Sequence, residues 1–543
     1  MKRNLKQRYI SSAFILLVST VIVKIISAVY KIPLTMYIGA EGRGYFSIAY
    51  NLCLPIHALT MGAFPIALTK LISSYNAKGD MNKVYALKIA SKRLFFIIGI
   101  IGLAVMFVVS KPYTVLISSS PKSIYTVLAL APSVFFSCLC AVHRSYAEGF
   151  LDMKATAISQ LLEALSKMIF GLLFARLTMS YLYECYYLNS SIFGITLNSE
   201  KEALSFIYPL TSASAMLGVT FGSIIAWLFA WVYDSIRFES KRVDRADVKN
   251  AYNELLSFSA MLVGATVIQS ISNFVDTSGI QYFLSLCDEN VLKTAYSYNG
   301  NDIYTYVFGV YATVLDFKNL VPSIVMALGV TAVPAISSAY ENSSERFSSL
   351  LSSIIKYSVI LSVMGGLILS LFYKEILSVF YLNSNADIVD NGSKILEYMG
   401  ILILPCSVAT TTVYVCNALG LAKNTIMPFI ISMLSRVVLN YILVTNSDIN
   451  ILGSAVSNFV GFLVIVALNL ITIRKKTNAK ISIIKAFFAP VLCGTLTYFI
   501  MNYAKKYVEF SLIKFIFSVL ICVMIYLIFL ILTKTLKIKE KLA

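Results

Sequence analysis

The chain has 543 residues, 58% of them hydrophobic and 13% charged, and its 45 Lys and Arg outnumber 27 Asp and Glu to give a net charge of +18. Soluble domains carry about 25% charged residues, so a water-soluble enzyme, a secreted disulfide scaffold and a nucleic-acid-binding module are excluded. The long apolar runs point to an all-α integral membrane protein, with the basic excess in cytoplasmic loops.

Taken in order, the apolar runs predict about 14 transmembrane helices, at 9–31, 44–62, 90–111, 123–146, 156–179, 206–233, 256–283, 304–336, 350–373, 394–419, 425–445, 451–473, 483–503 and 512–533. The first follows a basic N-terminus, MKRNLKQR, and is too long for a signal peptide. The second runs into an amphipathic stretch, GAFPIALTKLISSYNAKGD, suited to a membrane interface. The eighth is long, and a bend is expected at Pro322. Basic clusters at 78–93, 237–249 and 474–485 and in the C-terminal KTLKIKEKLA place both termini in the cytoplasm. Most of the nine cysteines lie in apolar runs and read as small hydrophobes, without metal-binding spacing.

The halves of the chain repeat. Lys154, Thr156, Leu165, Ser166 and Lys167 stand over Lys423, Thr425, Leu434, Ser435 and Arg436 at one offset, which also places Pro65 over Pro334. A shorter offset sets Leu17, Val18, Ile26 and Ser27 over Leu262, Val263, Ile271 and Ser272, and Lys31 over Asp276. Six helices per half make the repeat parallel: two six-helix lobes about a pseudo-twofold axis along the membrane normal, a transporter plan. The expected organisation is a first lobe at 1–235, a cytoplasmic basic linker at 236–250, a second lobe at 251–476, and two extra helices with a tail at 477–543.

Charges inside the bilayer cost about 2.5–3.5 kcal/mol each on insertion scales, so they face a cavity or a partner. Lys24 lies well inside the first span, and Lys31 two turns on falls on the same helix face. Lys31 and Lys70 lie near helix ends and are also placed to snorkel. His57 sits in the second span, where a hydrogen-bonded interior role is the plainer reading. Glu163 and Lys167 have the i,i+4 spacing of a structural ion pair. Asp276, Asp316, Lys318 and Arg436 complete the set, with Asp316 and Arg436 grouped with the structural or gating charges. A basic first lobe suits an anion such as pyrophosphate, which lysine binds as a point charge. An acidic site in the second lobe suits a coupling cation.

Certain segments carry a resemblance. The run from Lys31 through Gly39-Ala-Glu-Gly-Arg-Gly-Tyr-Phe46 resembles the opening of the stage V sporulation protein B and MurJ-like lipid II flippase family. That family belongs to the polysaccharide exporters of the multidrug/oligosaccharidyl-lipid/polysaccharide superfamily. Arg144-Ser-Tyr-Ala-Glu-Gly149, the segment from Met326 to Pro334, and Asn440-Tyr-Ile-Leu are similar to further family segments. The resemblance implies alternating access and a lipid-linked cell-wall or polysaccharide precursor as substrate. It places basic residues where Lys24 and Lys31 stand, and an arginine where this chain has His57. It also implies a sodium site matched by Asp276 and Asn440, although the acidic residue expected four positions later is Val444. Its last two helices form a groove for a polyprenyl tail.

The expectation is therefore a flippase of an undecaprenyl-pyrophosphate-linked saccharide in a bacterial plasma membrane, with substrate-binding Lys24, Lys31, His57 and Lys318 and ion-coupling Asp276 and Asn440. No catalytic residue, metal or organic cofactor is expected; sodium or a proton is the candidate coupling ion. Expected partners are the lipid-linked saccharide, the bilayer and cell-wall synthases, and not nucleic acid. The P-loop pattern is absent, so ATP is not the driving force. The alternatives are a drug or cation antiporter of the same fold, a flippase for another lipid-linked polysaccharide, a membrane-embedded polyprenyl-phosphate transferase and a transport-inactive scaffold.

Overall fold

The computed structural model describes residues 2–58, 62, 64–239, 241, 243–342, 344–477, 483–505, 507 and 511–536. The repeat positions Leu17, Leu262, Val263 and Pro334 fall outside the described side chains, and the C-terminal residues 537–543 outside the described chain. Among the described residues 11 helices are long and apolar enough to cross a membrane. The fourteen expected spans differ from these at three places: the first two are joined, and the seventh and eighth are not in the set.

The first two expected spans form one element, α1 (Lys2–Ala58), interrupted only at Gly39, whose φ is 64°. An unbroken helix over Val18–Ala58 would run roughly 60 Å, about twice the hydrocarbon thickness. Glycine adopts the left-handed conformation without the Cβ penalty, so it supplies the break. The amphipathic stretch is α2 (Phe64–Ala77), which buries Ala67, Leu68, Leu71 and Ile72 on one face. Gly79 and the Asp80 cap then lead into α3 (Met81–Pro112), where the Asp80 carboxylate accepts from the Lys83 N–H.

Helices α4 (Ile124–Gly149), α5 (Lys154–Asn189) and α6 (Glu200–Arg237) follow. A hairpin of β1 (Ser191–Ile192) and β2 (Ile195–Thr196) joins α5 to α6, with Ser191 opposite Thr196 and Ile192 opposite Ile195. Positive φ at Phe193 and Gly194 gives it the type I′ twist that two-residue hairpins favour. Then come α7 (Arg245–Leu284) and the short α8 (Glu289–Ala295).

The expected eighth span is two helices, α9 (Ile303–Lys318) and α10 (Leu320–Asn342). The interruption is at Asn319, and Pro322 sits in the first turn of α10. A proline there loses nothing, because that turn's N–H groups have no partner in the helix. The remaining helices are α11 (Ser344–Leu371), α12 (Tyr373–Tyr381), α13 (Ala386–Ala418), α14 (Ile426–Val444), α15 (Gly453–Thr477), α16 (Ile483–Lys505) and α17 (Leu512–Leu532).

The chain folds into two compact units, residues 1–285 with 293–309, and residues 286–292 with 310–543. In the first unit α5 packs on α6 and α1, α4 on α6 and α3, and α7 on α3, α1 and α2. Small residues allow the close crossings, as in membrane bundles generally. A Cβ on Gly218 of α6 would lie 2.3 Å from the Gly171 backbone of α5. In the second unit α11 packs on α13 and α16, α14 on α15, and α13 on α10 and α15.

Candidate functional site

Two clusters of charged residues stand out among the described residues of the first unit. The first is built on α1 and α5. Tyr30, Phe46 and Tyr50 come from the two halves of α1, with ring centroids 6.5 Å apart for the first pair and 5.1 Å for the second. Lys167 of α5 places its Nζ 5.4 Å from the Tyr30 ring and 4.8 Å from the Tyr50 ring. Arg43, 2% exposed, holds its guanidinium 5.4 Å from the Phe46 ring. The arrangement depends on Gly171, one turn beyond Lys167, since a Cβ there would meet the Tyr30 hydroxyl at 2.6 Å. His57, partly buried near the end of α1, lies within electrostatic reach of Glu163 and Lys167.

Glu163 does not follow the simple helical pairing that its spacing suggested. Its carboxylate accepts from Arg144 of α4 at 2.8 Å, while the Arg144 Nε donates to Ser159 at 2.7 Å. A buried guanidinium competes well for a carboxylate because its planar donors fit it closely. Arg144 entered the sequence reading only as part of a motif, and its companions there are structural as well. Glu148 accepts from Thr156 at 2.6 Å, and a Cβ on Gly149 would strike Ile72 of α2 at 2.5 Å.

The second cluster joins α3, α4 and α6. Asp234 forms an ion pair with Lys88 at 2.8 Å and contacts His143 Nδ1 at 2.9 Å, with Lys92 at 3.6 Å. Lys88, Asp234 and His143 are all buried, and Lys88 also faces the Tyr146 ring at 4.3 Å. Sequence reasoning missed this cluster, since Lys88 falls in a basic run read as a cytoplasmic loop. The available signal was an aspartate ending a long apolar helix.

The other expected residues divide between the units. Lys24 and Lys31 are partly buried on α1, and Asp276 is buried on α7 in the first unit. Lys318, Arg436 and Asn440 are buried in the second unit, where Asp316 is partly buried. The structure brings two of these together: Arg436 lies 4.4 Å and Lys318 5.8 Å from the ring of Phe462. Gly461 makes room for Arg436, whose Nε would stand 2.1 Å from a Cβ at that position.

The glycines of the Gly39-to-Phe46 segment are mechanical in detail. Gly39 breaks the helix against Tyr208, the Gly42 carbonyl accepts from Ser212 of α6 at 3.0 Å, and a Cβ on Gly44 would lie 2.2 Å from the Thr305 carbonyl.

Comparison with known proteins agrees with this architecture. The family model described as "Polysaccharide biosynthesis protein" matches residues 10–197. Stage V sporulation protein B of Bacillus subtilis (strain 168) is 22% identical over 93% of this chain and 91% of its own length. Among solved structures, the lipid II flippase MurJ in an inward closed conformation superposes with a TM-score of 0.70, at 16% identity over 95% of this chain and 98% of that one. An inward-facing multidrug resistance MATE family transporter of the MOP superfamily gives 0.61, at 16% identity over 84% and 100%. The chain is thus a multi-span helical membrane protein with the fold of MurJ and the MATE transporters, similar over nearly its whole length to stage V sporulation protein B.

Proposed function

We propose that this chain is a flippase that carries an undecaprenyl-pyrophosphate-linked saccharide, of the lipid II kind, from the inner to the outer leaflet of a bacterial plasma membrane by alternating access. The observation that carries this reading is the basic, aromatic-lined cluster of the first unit, in which Arg43 and Lys167 stand against Phe46, Tyr30 and Tyr50. Cations on ring faces suit a diphosphate followed by a sugar, because the cations meet the phosphates and the rings pack against the saccharide. Lys24 and Lys31, on the same helix as Arg43, extend the basic character, and Lys318 supplies a further cation in the second unit. The fold shared with a lipid II flippase, MurJ, supports the same substrate class. Cell-wall synthases are the natural recipients of such a product.

We assign coupling to Asp276, buried on α7 of the first unit; Asn440, buried in the second unit, is the candidate neutral ligand by resemblance alone. A buried carboxyl in a transporter takes up a proton or a cation, and a difference in that uptake between two conformations links ion binding to transport. Asp276→Asn should leave substrate binding in place and remove the dependence of transport on sodium or pH.

Reconstitution tests the main proposal. Vesicles containing the purified chain should move a labelled lipid II from one leaflet to the other, and depletion in cells should leave the lipid in the inner leaflet. The fold shared with a MATE transporter favours one second reading, a cation or drug antiporter. Export of a cationic dye without movement of the lipid would select it.

A further inference from the structure

Next to the Gly39 break the first unit holds a further polar centre, separate from the two basic clusters. The Tyr45 hydroxyl lies 2.7 Å from Glu41 Oε1 and 3.1 Å from Asp302 Oδ2. The Tyr298 hydroxyl donates to the other Glu41 oxygen at 2.7 Å. Asp302 Oδ1 accepts from the Thr305 N–H at 3.2 Å. The Ser120 hydroxyl, 3.4 Å from Asp302 Oδ2, receives Thr305 Oγ1 at 2.6 Å and Ser123 Oγ at 2.7 Å.

The hydrogens can be counted. A tyrosine hydroxyl has one hydrogen to donate, so Tyr45 can serve Glu41 or Asp302 but not both. The second contact needs a hydrogen on a carboxyl, directed at the Tyr45 oxygen. The cation that acts on both carboxyls among the described residues is Lys122, whose Nζ also donates to the Ser205 carbonyl at 2.9 Å.

The surroundings make this centre a fastening. Tyr298 stacks on Tyr306 of α9 with centroids 4.4 Å apart. A Cβ on Gly309 would come 1.7 Å from the Ala40 carbonyl, so the start of α9 lies directly on α1. Glu41 is 4% exposed and Tyr45 is fully buried. Asp302 is partly exposed, and Tyr298 lines a pocket of about 470 Å³ with Lys293, Thr294, Ser297 and Asn299, so a proton has a way in.

We propose that Glu41 and Asp302 share one acidic hydrogen through Tyr45, forming a proton-dependent latch that fastens the start of α9 to α1 beside the Gly39 break. Burial pushes the Asp302 carboxyl above its ordinary range, which favours the shared hydrogen. Loss of that hydrogen leaves two ionised carboxyls around one hydroxyl, and they repel. The latch is therefore closed while the pair is protonated and opens as pH rises through its titration. This is a second proton-linked element, independent of Asp276 and of the identity of the substrate.

Hydrogen–deuterium exchange of the full chain in lipid nanodiscs across a pH series tests it, with protection corrected for intrinsic exchange at each pH. In the wild type, protection over 298–305 should fall by up to about tenfold per pH unit above the midpoint, the limit for linkage to one proton. Glu41→Gln and Asp302→Asn each replace an ionisable group with a neutral one and should flatten that dependence. A pH-independent wild type, or a slope that persists in either variant, overturns the latch. The wild-type profile alone can do so, and a variant that fails to fold therefore leaves the test standing.

Discussion

The two basic clusters of the first unit hold similar cations in different company. At Asp234, Lys88 and His143 converge on one buried carboxylate. At Tyr30 and Tyr50, Lys167 faces aromatic rings. A carboxylate meets a positive charge with a full negative one; a ring face meets it with a weaker quadrupole. Removing one partner of a buried ion pair costs about 3–5 kcal/mol, whereas a cation–π contact is worth about 0.5–2 kcal/mol. The first cluster is suited to pinning α3, α4 and α6 together. The second is suited to meeting a transient anion.

The largest effect should come from the pinned cluster. Asp234→Ala strands Lys88 and His143 and should lower stability by about 3–5 kcal/mol, read as lost thermal resistance of the purified protein. A variant that melts like the wild type would dissolve the distinction. Gly218→Ala comes next. Its new Cβ meets Gly171 backbone, not the end of a flexible side chain, so α5 and α6 must separate. Overpacking of this kind costs about 1–3 kcal/mol. It should disturb the ring-faced cluster through Gly171 and Tyr30, reducing transport more than Asp234-side stability.

Lys167→Ala should change stability little and weaken binding of a lipid pyrophosphate about tenfold, in line with one charged hydrogen bond. Equal loss of melting temperature and binding would assign Lys167 to structure. The smallest effect marks the floor. Lys83 pairs with Asp80 at 3.8 Å on the exposed surface, and such pairs contribute about 0–1 kcal/mol. Lys83→Ala should be nearly silent in both melting and transport.

How far the sequence anticipated this follows from what a helix axis reveals. Apolar runs located most spans, because bilayer thickness sets their length. The sequence also picked out Lys167, Arg436 and Lys318 as misplaced charges. It could not say what faces them. Glu163 looked committed to its own helix, yet Arg144 reaches it from α4, a contact set by tertiary packing and invisible to i,i+4 counting. Lys88 was hidden because it falls in the basic run at 78–93, which reads as a cytoplasmic loop. Pro322 drew the expected bend, but the helix had already stopped at Asn319. The Glu41–Tyr45–Asp302 centre joins residues more than 250 positions apart, and nothing local announces it.

The central claim is that the ring-faced cations of the first unit receive a pyrophosphate. Binding of undecaprenyl-pyrophosphate saccharide to the purified full chain, compared with an uncharged polyprenol, tests it most directly by native mass spectrometry. The wild type should prefer the pyrophosphate, and Lys24→Ala and Lys167→Ala should each reduce that preference while the proteins melt normally. Equal affinity for the charged and uncharged lipids, unchanged in both variants, would contradict it.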